Sequence, residues 1–228
     1  MNSNNFEKKK LKVLNLFKEK KFEDVFKYGL KLIKKDPSDT QLIYIIGLSY
    51  INKQNFIEAE NYFEKLLSLK KTPELFYTYG NIQKKLKKYN NAISSFEQSI
   101  NLNPNFSEAH NNLGNTKKLI NRREEAIKHY RQAINLKKNN IEALFNLSII
   151  LKENKNFEEL IEVYGKILKI DINNIKTIYN LGSAHLFLGN ISKGREYFEN
   201  AIEIDDLHIP SYRNYISIKW VHNNYCSI

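Results

Sequence analysis

Ser107-Glu108-Ala109-His110-Asn111-Asn112-Leu113-Gly114-Asn115 returns 34 residues later as Ile141-Glu142-Ala143-Leu144-Phe145-Asn146-Leu147-Ser148. After 34 more it returns as Ile175-Lys176-Thr177-Ile178-Tyr179-Asn180-Leu181-Gly182. Towards the N-terminus, Pro73-Glu74-Leu75-Phe76-Tyr77-Thr78-Tyr79-Gly80-Asn81 stands 34 residues earlier. Thr40-Gln41-Leu42-Ile43-Tyr44-Ile45-Ile46-Gly47 stands 33 before that, so one residue is lost in that turn. A fixed period of this size marks a repeat array, in which no unit buries its apolar face alone and neighbours bury it for one another.

Inside each unit the apolar residues follow helical spacing twice, with a polar turn such as Asn121-Arg122-Arg123 between the two stretches. Each unit therefore reads as a helical hairpin, helix A then helix B. Gly47, Gly80, Gly114, Ser148 and Gly182 occupy the eighth position, where a small side chain lets helix A come close to its neighbour. Ala59, Ala92 and Ala126 do the same for helix B at the twentieth, and Phe63, Phe96, Tyr130, Tyr164 and Phe198 at the twenty-fourth fill the layer between.

These residues resemble the tetratricopeptide repeat family over nearly the whole chain. The resemblance implies an all-α fold, a right-handed α-solenoid of tandem helix-turn-helix repeats occupying 1–228 as one domain. A divergent N-terminal repeat is expected at 6–39, further repeats at 40–72, 73–106, 107–140, 141–174 and 175–208, and a C-terminal helix at 209–222. The last helix carries Tyr212, Tyr215, Ile216, Ile218, Trp220 and Val221, an apolar set where a terminal cap would expose polar residues, so the expectation is either that it packs unusually well or that it contacts a partner.

Composition narrows the function. Eight glycines, four prolines and 42% hydrophobic residues suit a continuous helical body. Cys226 is the single cysteine and cannot form an intramolecular disulfide. No apolar stretch follows the charged N-terminus and no run of about 18 apolar residues occurs, so neither a signal peptide nor a membrane partner is expected, and the reading is cytoplasmic. The sequence holds no phosphate-cradling glycine loop, HExxH helix, CxxC pair or nucleophile elbow, which gives no enzyme and no cofactor. His222 and Cys226 lie four apart, but two ligands do not make a tetrahedral metal site.

The remaining candidate is the groove that helix A lines in this family. The resemblance places Tyr44, Tyr77, Phe145 and Tyr179 there as aromatic contacts, with Lys176 beside them. Asn112, Asn146, Asn180 and Asn214 recur at the sixth position, with Asn81 and Asn115 at the ninth. An amide both donates and accepts, so a column of amides can hold an extended peptide backbone whatever its sequence. The arrangement resembles the asparagine ladder in the repeat region of O-linked N-acetylglucosamine transferase. It is also similar to the carboxylate clamp of heat-shock co-chaperones at Asn115, Asn146 and Lys176, but Asn111 and Asn180 stand where that clamp needs Lys and Arg.

The formal net charge is +11. On the groove positions Lys84, Lys85, Lys118, Lys152, Lys176 and Arg213 face Glu74, Glu108, Glu142 and Glu153, so most of the excess lies elsewhere. That balance weighs against nucleic acid as the partner, because a phosphate-tracking channel gathers its cations along one path. The expected role is a scaffold for a protein or peptide. Two alternatives stand beside it: the non-catalytic arm of a longer glycosyltransferase or sulfotransferase-type enzyme, and an RNA-binding helical repeat.

Overall fold

The structure, a computed structural model, describes the backbone of residues 3–225 and the side chains of 5–218. Among these residues it has thirteen helices and no strand. In chain order they are α1 (Ser3–Lys18), α2 (Phe22–Ile33), α3 (Thr40–Asn52), α4 (Phe56–Leu69), α5 (Pro73–Lys85), α6 (Tyr89–Leu102) and α7 (Ser107–Leu119). Then come α8 (Arg123–Leu136), α9 (Ile141–Glu153), α10 (Phe157–Leu168), α11 (Ile175–Phe187), α12 (Ile191–Ile204) and α13 (Ile209–Tyr225). The fold class expected from the sequence, an all-α solenoid of tandem helical repeats, is the one observed. The helices form two compact units, one up to Ala126 and one from Ile127 on.

The turn inside each hairpin has one construction. The fifteenth repeat position is left-handed six times, at Lys20, Gln54, Lys87, Asn121, Lys155 and Gly189, with φ from 56 to 76°. At Lys155 its N–H donates to the Lys152 carbonyl at 3.1 Å, and the Asn156 N–H reaches back to the Leu151 carbonyl at 2.9 Å. This pair of bonds satisfies carbonyls that the ending helix leaves orphaned. Of the six residues, Gly189 alone takes this backbone without a Cβ clash. Helix starts are capped by side chains: Asp39, Thr72, Asn140 and Asn174 accept from backbone N–H groups three residues on.

Packing explains why small and large residues alternate down the repeat. A Cβ added to Gly47 would lie 2.8 Å from the Phe63 ring, one on Gly80 2.8 Å from Phe96, and one on Gly182 2.7 Å from Phe198. These three rings are completely buried. Helix A thus lies against the aromatic residue sixteen positions later, at a separation that only a missing side chain allows. Ala59 and Ala92 are likewise fully buried on the B helices.

One cation is drawn into the body. Lys117 of α7 is 7% exposed at its side chain, and its Nζ lies 2.9 Å from Glu125 and 3.6 Å from Glu97. Arg122 also donates to Glu125 through Nε and Nη2. These hydrogen bonds, Arg122 first and Lys117 second, hold the Glu125 carboxyl down at about 2.

At the other end α13 packs on α12. Ser211 is fully buried there, Ile216 is 60% exposed, and Tyr215 and Ile218 are half-buried. The side chains of Trp220, Val221 and His222, and all of Cys226, lie outside the described residues.

Candidate functional site

In the first unit, Tyr77, Asn81 and Lys84 project from successive turns of α5, and Asn112 comes from the next A helix, α7. The Asn112 Nδ2 donates to the Tyr77 hydroxyl at 3.0 Å and to the Asn81 Oδ1 at 2.9 Å. Its Oδ1 accepts from the Lys84 ammonium at 3.4 Å. Both donors of this amide are committed inside the protein, and Asn112 is buried. The Tyr77 ring lies 5.0 Å from Phe106 and 6.0 Å from Phe96, which fixes its hydroxyl in place. Asn115, further along α7, is half-buried.

Tyr44 lies apart from this group, exposed on α3 and edge-on to Phe63 at 5.9 Å. It lines a cleft of about 270 Å3 with Gln41, Leu66, Lys70, Glu74 and Leu75.

The second unit repeats the pattern at one place and breaks it at another. The Asn214 Nδ2 of α13 donates to the Tyr179 hydroxyl of α11 at 3.3 Å. Tyr179 is held against Phe198 at 5.6 Å and edge-on to His208 at 5.5 Å. One repeat earlier the fifth position is Phe145, which has no hydroxyl to engage the following sixth-position asparagine. That residue is Asn180. Its Oδ1 accepts from Lys152 at 3.5 Å, and its Nδ2 donates to no described residue.

Asn180 opens onto a cleft of about 610 Å3 between α9 and α11, lined also by Phe145, Ile149, Lys152, Glu153 and Lys176. The Lys176 Nζ sits 5.9 Å over the Phe145 ring. Ile149 is 45% exposed although apolar. Aromatic and aliphatic floor, two cations and an amide donor thus converge in a volume typical of ligand sites. Asn146 is half-buried on α9 beside Phe145.

Ser148, Tyr164 and Asn174 also line this cleft, and reading the helix A face did not single them out. Tyr164 belongs to α10 and sits opposite the eighth-position Ser148, so the small-large pairing rule could have placed it. Among the described residues no group of three or more His, Cys, Asp or Glu could hold a metal ion. No described helix is long and apolar enough to cross a membrane.

Two profiles of the tetratricopeptide repeat match, one at 40–73, 141–174 and 175–206 and the other at 80–119 and 120–155, together more than half of the chain. The chain belongs to the tetratricopeptide repeat family. The C-terminal part of a repeat protein from Cytophaga hutchinsonii superposes with a TM-score of 0.77 at 16% identity, covering 94% of this chain and 86% of that one. The crystal structure of MamA gives 0.66 at 24% identity, with coverage of 73% and 92%. YrrB, described as a TPR protein with an unusual peptide-binding site, gives 0.65 at 19% identity, with coverage of 81% and 96%. At these identities the likeness establishes the fold. No curated protein matches the chain.

Proposed function

We propose that this chain is a cytoplasmic protein-interaction scaffold without chemistry of its own, and that it holds an extended peptide against its A helices. The observation that carries the reading is the Asn180 Nδ2 donor, which has no acceptor among the described residues, in the α9–α11 cleft. A donor set beside an apolar floor and two cations is what an extended peptide chain with an acidic or polar residue requires. Phe145 and Ile149 would take an apolar side chain of the ligand, Asn180 a backbone carbonyl, and Lys152 and Lys176 a carboxylate or further carbonyls.

The other sixth-position asparagines divide by their neighbours. Asn112 in the first unit and Asn214 in the second serve first as brackets between repeats, with Tyr77 and Tyr179 as their partners. Tyr44, Asn81 and Asn115 would offer peptide contacts on the A helices of the first unit, and Asn146 on α9 of the second. Tyr212 and Ile216 of α13, both exposed, are where a larger partner would touch the C-terminal helix.

The likeness to YrrB, whose description includes peptide binding, is consistent with this role. Selection from a random-peptide display library tests it. Peptides enriched on the wild-type protein should fail to bind Asn180→Ala and Lys176→Ala proteins that melt normally. Enrichment of nothing above background, or of peptides indifferent to both changes, would refute the proposal.

A further inference from the structure

We infer a second docking site, on the B-helix side of the second unit, for an acidic peptide segment carrying one aliphatic residue. It is independent of the A-helix cleft. Between α8 and α10 lies an opening of about 630 Å3, again in the size range of ligand sites. Its floor is Ile134, Leu147 and Val163, all buried, and Ile170 stands at the rim, 42% exposed.

The charges around it do not cancel. Arg131 is neutralised by Glu159, its Nη2 donating to both carboxylate oxygens at 2.8 and 2.9 Å. Lys138, Lys166 and Lys169 are exposed at the mouth, and none forms an ion pair among the described residues. Glu162 is the one carboxylate that offsets them, which leaves an excess of two positive charges. On the hairpin turns of the first unit, by contrast, Lys53 pairs with Glu23 at 2.6 Å and Lys88 with Glu60 at 2.6 Å. Arg131–Glu159 is the matching cross-repeat pair here, and Lys138, Lys166 and Lys169 remain as cations beyond it.

Three exposed ammonium groups steer and hold an anionic partner, and their field acts before contact. A polyanion such as RNA would need only those groups. The half-exposed Ile170 above an apolar floor favours a ligand that brings a side chain to bury, and the Asn135 and Asn139 amides on the same mouth suit a peptide backbone. Charge complementarity together with an apolar anchor point selects the acidic peptide over a nucleic acid.

The probe is a fluorescent dodecapeptide of Glu and Asp with a single central leucine, titrated by anisotropy at low salt against the full chain. A version with serine for leucine and a uridine dodecamer serve as comparisons. The peptide should bind the wild type and weaken at least tenfold on the triple variant Lys138→Glu, Lys166→Glu, Lys169→Glu. Losing the leucine and introducing Ile170→Ala should each weaken binding several-fold, and together no more than either alone. All four side chains are solvent-exposed, so thermal melts should show the variants folded. Absence of binding, equal binding to the triple variant, or RNA that binds as tightly as the peptide would overturn the inference.

Discussion

The Asn112 amide nitrogen lies 3.0 Å from the Tyr77 hydroxyl, thirty-five positions earlier in the chain. Asn214 repeats the contact with Tyr179 at the same separation in sequence. A fifth-position tyrosine in one repeat therefore occupies the sixth-position asparagine of the next, and the pair fastens two hairpins through their A helices.

Removing this bracket should be felt as lost stability. Asn112→Ala strips partners from Asn81 and Lys84 at once and should cost about 1–2 kcal/mol. A double-mutant cycle with Tyr77→Phe, read by chemical denaturation, should give a coupling of roughly 0.5–1.5 kcal/mol. Additive single changes would mean that the bond contributes nothing.

The left-handed turns leave room for improvement. Lys155 holds φ at 56° with a Cβ present. Lys155→Gly should stabilise the protein by about 0.5–1 kcal/mol, the relief of the left-handed clash less the added freedom of the unfolded glycine. Thermal melting would show it as a raised Tm, whereas the same substitution at helical Lys152 should lower it.

The close approach of helix A to the aromatic layer makes the opposite prediction. Gly80→Ala puts a methyl 2.8 Å from the Phe96 ring, which is fully buried and has nowhere to move. A loss of roughly 1–3 kcal/mol is expected. Phe96→Leu in the same chain should recover part of it, since the smaller side chain vacates the contested space.

Much of the fold was legible because it rests on spacing. Gly47, Gly80 and Gly182 recur with Phe63, Phe96 and Phe198 at constant separation, and steric fit enforces that pairing in these three repeats. The groove was legible only in part. The recurrence of asparagine at the sixth position suggested a uniform column, yet whether each amide is available depends on the residue thirty-five positions earlier. Tyr77 consumes Asn112, while Phe145 cannot consume Asn180. The cleft beside α10 escaped notice because its lysines share no repeat position. They meet only when α8 and α10 are brought side by side.

Acid should probe the Lys117 cluster. The Glu125 carboxyl is held at about 2, below its ordinary value of 4.5, by Arg122 and Lys117. A depressed carboxylate adds stability that is fully present above the unfolded value and fades as pH falls from about 4.5 towards 2. Glu125→Gln should flatten that part of the stability-pH curve, and urea melts between pH 5 and 2.5 would reveal it.

The most direct test of the scaffold reading is calorimetric titration of a display-selected peptide into the wild type and into Asn180→Ala and Phe145→Ala proteins. The predicted result is a Kd raised at least tenfold by each change, equivalent to about 1.4 kcal/mol, with the Asn112→Ala protein affected less. An unchanged Kd for both cleft variants would contradict the account.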